Sequence, residues 1–110
     1  MARQVYAGLH RDGLQRGFWV YIMASGRNGT IYTGQTDDLG GRVHQHREGL
    51  IPGFTKRYGC KTLVWAECHG TRDAARWRER CIKEWRRSWK LMLIEEQNPT
   101  WCDRLDHYLV

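Results

Sequence analysis

No apolar run in this chain of 110 residues approaches the roughly 20 needed to cross a bilayer. The stretch from Met1 to Arg16 also lacks the apolar core of a secretory signal. It reads as a basic, flexible lead-in, and the protein is expected in the cytoplasm with no membrane partner. Cys-x-x-Cys pairs are missing too: Cys60, Cys68, Cys81 and Cys102 stand far apart. Zinc sites are built from close ligand pairs, and Cys68 beside His69 is the nearest approach, so structural zinc is not expected. In a reducing compartment the four should be buried free thiols rather than disulfides. There is no internal repeat and no low-complexity segment, and one domain is expected over residues 17–110.

What the chain has is positive charge. Eighteen Lys and Arg against twelve Asp and Glu give a net charge of +6. The cations cluster at Lys56-Arg57, from Arg76 to Arg80 and from Lys83 to Lys90, with tryptophans and tyrosines between them. A basic, aromatic surface suits a polyanion. Lys56, Arg57, Lys83 and Arg86 are the candidate nucleic-acid contacts. The competing reading is a solvated helix face whose long stems cover the core.

Hydrophobic periodicity gives an α/β order. Phe18 to Met23 is aromatic and β-branched, and Thr30 to Gly34 answers it across Asn28-Gly29, a strong hairpin signal. Asp37 or Asp38 should cap a helix running to about Glu48. Gly49 to Gly59, with Pro52 inside it, reads as a loop, and Lys61 to Cys68 as a third strand. Thr71 should cap a long amphipathic helix. A further helical stretch, about Trp89 to Glu95, should end before Asn98-Pro99, because proline disfavours helix in the residue before it. Trp101, Leu105 and Tyr108 should pack back as a short helix. The expected fold is a small three-stranded antiparallel sheet flanked by helices, in the order ββαβαα.

Several polar side chains can share one cleft in such a fold. At about 100° per residue, Ala74, Ala75, Trp77, Cys81, Ile82, Trp85 and Trp89 form a broad apolar arc on the long helix. Glu79 falls at its rim, ringed by cations. That carboxylate is either a salt-bridged rim residue or a metal ligand facing a cleft. Tyr21 and Tyr32 lie on paired strands, and Arg42 and His46, four apart, share one side of the next helix. Phosphodiester hydrolysis needs a deprotonated water, charge stabilisation at phosphorus and a departing oxygen, and this set can supply each. Strand tyrosines also serve as ordinary packing, and helix Arg and His as ordinary surface.

Val20-Tyr21-Ile22 followed by Tyr32-Thr33-Gly34 resembles the paired motif of the GIY-YIG nuclease superfamily. The likeness continues through Gln35-Thr36-Asp37-Asp38-Leu39 to Arg42-Val43 and His46. It goes on through Gly53-Phe54-Thr55 with Tyr58, Arg78-Glu79 with Lys83, and Lys90 to Asn98-Pro99 and Trp101. It spans about Phe18 to Leu105, and the chain resembles the small stand-alone bacterial members. The resemblance implies a divalent-metal-dependent endonuclease acting on DNA, with structured or damaged DNA as substrate classes and RNA left open.

By that resemblance, Tyr21 and Tyr32 match the motif tyrosines, one acting as general base or orienting the attacking water. Arg42 matches the arginine that stabilises charge at the scissile phosphate. His46 occupies a position near the site suited to proton transfer. Glu79 matches the sole protein ligand of Mg²⁺ or Mn²⁺, and Asn98 a later asparagine that braces the site. The first motif here lacks its glycine, Thr33 replaces an isoleucine, and Gln35 stands where some members carry a lysine. The alternative function is a nucleic-acid-binding or adaptor domain that kept the scaffold without catalysis. A third reading is an interaction module whose Trp-rich C-terminal helices form a homodimer. The chain is expected as a monomer or a weak homodimer.

Overall fold

The structure is a computed structural model and describes residues 17–108. The expected lead-in, residues 1–16, lies outside the described residues. Three strands, β1 (Phe18–Ala24), β2 (Ile31–Thr36) and β3 (Thr62–His69), form an antiparallel sheet in the order β2-β1-β3. Helices α1 (Leu39–Arg47), α2 (Phe54–Tyr58), α3 (Arg72–Glu84), α4 (Arg87–Gln97) and α5 (Leu105–Tyr108) complete the α/β fold.

The central strand explains the two-sided core. β1 is apolar at nearly every position, and alternate side chains point to opposite faces. Val20, Ile22 and Ala24 join Ala75, Ile82 and Ile94 from α3 and α4, together with Trp101. Trp19, Tyr21 and Met23 join Leu39 and Val43 from α1, with Cys60, Leu63 and Ala66. Opposite β1, the register shifts so that Ile22 faces Trp65 while Met23 faces Leu63. Val64 is the extra residue of this bulge, so Val64 and Trp65 both enter the first core.

The hairpin signal is realised as a loop from Ser25 to Thr30. Asn28 takes a left-handed φ of 57° there, and the Ser25 amide donates to the Thr30 carbonyl at 2.9 Å. Asp38 caps α1, its carboxylate accepting from the Gly41 amide at 3.1 Å. Thr71 caps α3 in the same way through the Ala74 amide, at 3.1 Å.

Four expectations need correction. The loop Gly49 to Gly59 contains α2, five residues closed by Gly59 at φ 66°, too short for its sequence to show a helical period. The long helix breaks at Trp85 and Arg86, whose ψ values of 154° and 155° are extended. Its inward face is therefore narrower than the expected arc. Ala75 and Ile82 are buried, Arg78 and Glu79 flank them, and Trp77 is 66% exposed. Finally, all four cysteines are free but only Cys60 is buried; Cys68 and Cys102 are exposed.

Candidate active site

The site begins at the hairpin. Tyr21 on β1 pairs directly with Gly34 on β2. The tyrosine ring lies across that glycine so closely that a β-carbon there would stand 2.6 Å from the Tyr21 hydroxyl oxygen. Tyr32, two residues earlier and on the same face of β2, brings its ring within 6.4 Å of the Tyr21 ring. The glycine of the Tyr-x-Gly motif is thus the floor on which Tyr21 lies.

The cap at Asp38 fixes where α1 starts, and so which residues look down on the tyrosines. Arg42 and His46 follow one turn apart. His46 is 2% exposed, with Nε2 2.9 Å from the Tyr21 hydroxyl and Nδ1 2.8 Å from Oγ1 of buried Thr55 on α2. Burial, then the nearby Arg42 guanidinium, pushes the His46 pKa below its usual 6.5. Burial also pushes the Tyr21 phenol well above its ordinary value, helped by Tyr32 and Glu79 and opposed by Arg42. The consequence is a neutral phenol hydrogen-bonded to a neutral imidazole. The pair shares one proton along its bond, and the ring's other nitrogen exchanges its hydrogen bond with Thr55.

Glu79 approaches from α3, its side chain 19% exposed and its Oε2 2.8 Å from Nζ of Lys83. Lys83 in turn lies 5.6 Å from the centre of the Tyr32 ring, which brings this part of α3 to the β2 edge. A lone, partly exposed carboxylate is a hard oxygen donor that fits a largely hydrated Mg²⁺ or Mn²⁺, an ion that keeps most of its waters. Among the described residues no cluster of three or more His, Cys, Asp or Glu offers a protein-rich cage instead.

The structure therefore gathers Tyr21, Tyr32, Arg42, His46 and Glu79. It does not bring Asn98 to them. That side chain is buried at the end of α4, donating to the Val64 carbonyl at 3.0 Å and the Cys102 carbonyl at 2.9 Å, and accepting from the Cys102 amide at 3.1 Å. It braces the C-terminal segment against β3. Of the candidate nucleic-acid contacts, Lys56 and Arg57 are exposed on α2 and Lys83 sits at Glu79. Arg86 lies over the Trp89 ring, 5.0 Å from its centre, on the outward face of α4. Arg87 and Lys90 replace it beside the site, in an open groove shared with Phe54 and the β1–β2 loop. Arg87 donates to the carbonyls of Asn28 and Gly29 at 3.0 and 2.7 Å.

Sequence reasoning gave no role to four contributors. Thr55 sat in a recognised motif but had no role until its hydroxyl was seen at His46. Phe54 had no visible function either; its ring is 6.1 Å from Tyr32 and 4.7 Å from Tyr58, which extends the tyrosine cluster outward. Arg87 was visible only as a member of a charge run, and Lys90 stood in the likeness without a role, because the groove both line is made by packing against Phe54 and the β1–β2 loop.

A three-stranded sheet whose central and edge tyrosines meet an arginine and a histidine from one helix and a glutamate from another defines a compact nuclease-type domain. Residues 17–92 match the GIY-YIG catalytic domain, and the chain belongs to this family of the nuclease superfamily. A UPF0213 protein of Staphylococcus aureus strain Mu3 is 37% identical over 79 residues, which is 72% of this chain and 95% of the relative. The UPF0213 protein SAV0488 of strain Mu50 matches to the same extent, 37% over 79 residues. Among solved structures, the UPF0213 protein BH0048 of Bacillus halodurans shares 27% identity, with a TM-score of 0.48, over 74% of this chain and 86% of that one.

Proposed function

We propose that this protein is an endonuclease that hydrolyses DNA phosphodiester bonds with a divalent cation held by Glu79. The observation that carries the reading is the convergence on the Tyr21 hydroxyl of Tyr32 from β2, Arg42 and His46 from α1, and Glu79 from α3. Packing alone does not require this combination, since a buried phenol needs one hydrogen-bond partner rather than a guanidinium and a carboxylate beside it as well.

Each residue then has a role. Tyr21 Oη takes a proton from the attacking water as its own proton passes to Nε2 of His46. The hydroxide bonds to phosphorus as the P–O bond to the leaving oxygen breaks, that oxygen takes a proton from solvent, and the imidazolium later returns its proton to water. The relay needs no free phenolate, which suits a phenol whose ionisation burial opposes. Thr55 holds the imidazole in line through Nδ1. Arg42 faces the charge that grows on the phosphoryl oxygens, and Tyr32 walls the cleft beside it. A bound Mg²⁺ or Mn²⁺ would supply further charge neutralisation at the scissile phosphate. Lys56, Arg57, Arg87 and Lys90 hold the flanking strand as phosphate contacts.

The test compares wild type with Glu79→Gln and Arg42→Ala on nicked, branched and plain duplex DNA. Wild type should cut only with Mg²⁺ or Mn²⁺. Either substitution should slow cleavage by about 10²-fold or more, while Glu79→Gln leaves DNA affinity within a small factor. Equal cleavage by all three proteins sinks the assignment. A second reading rests on the Lys83–Glu79 ion pair: a carboxylate already neutralised suits a domain that binds nucleic acid without cutting it. Metal-independent binding, no cleavage by wild type, and indifference to Glu79→Gln would favour that reading.

A further inference from the structure

The outward face of α4 has no counterpart in the cleft. Trp85, Trp89, Met92, Leu93 and Glu96 line one open apolar depression. Trp89 is 49% exposed and Met92 65% exposed. Such a patch on a small soluble domain marks a contact surface. Its charge argues against nucleic acid as the occupant. Arg86, stacked on Trp89 at the start of the helix, is balanced by Glu96 at the end, so the stripe is neutral overall and acidic at one end. The cations that serve the cleft, Arg87 and Lys90, line a different groove.

The stripe is complementary to itself. Arg86 and Glu96 lie about 15 Å apart along the helix axis at 1.5 Å per residue. Turn a second copy of the stripe antiparallel, with the two-fold axis level with Leu91. Arg86 then falls opposite Glu96 of the copy, Trp89 opposite Leu93, and Met92 near its own equivalent. A contact of this kind is isologous: one patch serves both partners and the assembly closes as a pair. It also answers a general difficulty for this chain. Two molecules carrying +6 each repel one another, and a face where local charges cancel lowers that cost.

We propose that the outward face of α4 is a two-fold contact between two copies of this chain, held by Trp89, Met92 and Leu93 and keyed by Arg86 against Glu96. The pairing leaves both clefts free, so a dimer would present two catalytic sites to nucleic acid. This proposal stands independently of the proposed nuclease activity.

The experiment is sedimentation velocity on the full chain, from low micromolar to near-millimolar concentration, repeated on four variants. Wild type should shift from monomer to dimer as concentration rises, without larger species. Met92→Glu sets two carboxylates together near the axis and should remove the dimer. Arg86→Glu and Glu96→Arg should each raise the dissociation constant about tenfold or more by juxtaposing like charges. The double variant Arg86→Glu/Glu96→Arg recreates the pair with its signs exchanged and should restore dimerisation. That rescue separates interface chemistry from mere unfolding. A wild type that stays monomeric throughout overturns the proposal. So do open-ended larger species, or a double variant no better than its singles. An unchanged monomer in every variant would mean that something other than a second copy covers the face.

Discussion

A β-carbon at Gly34 would meet the Tyr21 hydroxyl oxygen at 2.6 Å and Cε2 of Tyr32 at 2.9 Å, so this glycine sets the geometry of both rings. Its φ is not in the left-handed region, and the constraint is therefore purely steric. Gly34→Ala is expected to destabilise the fold by about 1–3 kcal/mol through overpacking. Displacing Tyr21 should also slow cleavage by about 10²-fold; urea melts and single-turnover cleavage measure the two effects separately. His46 gives a pH signature. Its pKa is below 6.5 in the fold, so the unfolded chain binds the proton more readily. The stability contributed by the neutral ring is therefore complete above pH 6.5 and is lost as pH falls through the folded value. The stability advantage of wild type over His46→Gln should shrink across that interval, read from urea melts on either side of it. Cleavage should fail in the same direction, because an imidazolium cannot accept the Tyr21 proton. At this scale the sequence was largely legible: Tyr21, Tyr32, Arg42, His46 and Glu79 were singled out from order and spacing. Thr55 was not, because a threonine hydroxyl gains a role only from the atom it meets.

Among the elements, those with local signals were the ones readable in advance. Asp38 and Thr71 are side-chain caps whose bonds close within three residues, and β1 declares itself by β-branched and aromatic content. Two helices were expected over this stretch, but the place of the break between α3 and α4 had no such signal. Helical periodicity runs through Trp85 and Arg86, yet both residues are extended, and Ile94 turns into the first core from a second helix. Asn98 shows the same thing in reverse. The sequence likeness offered it to the active site, whereas its amide satisfies three backbone groups that hold the segment after α4 on β3. Asn98→Ala should therefore cost about 2–3 kcal/mol, from buried groups left without partners. The check is a thermal melt paired with cleavage at a temperature where the variant is folded: Tm should fall while the rate per folded molecule holds.

For the whole molecule, affinity and chemistry should separate. On the proposed reading polyanion binding would draw on Lys56, Arg57, Arg87 and Lys90, with each phosphate neutralised contributing about −0.9 to the slope of log affinity against log salt. Lys56→Glu/Arg57→Glu should flatten the measured slope by about 2 and weaken binding to all DNA sequences alike, as fluorescence anisotropy over a salt series would show. An unchanged slope would remove α2 from the binding surface. By itself the sequence determined the α/β class, the antiparallel hairpin, the capped starts of α1 and α3, and the order of the polar residues that the fold brings together. Each of these is written in period, caps or motif order, over distances the chain spans locally. Only the tertiary structure decided which residues meet. It joined His46 to Thr55, moved Asn98 from the site to the scaffold, turned Arg86 outward and aimed Arg87 and Lys90 inward. Those outcomes depend on how two cores pack against opposite faces of one strand, and close packing between distant segments leaves no period in the chain to read.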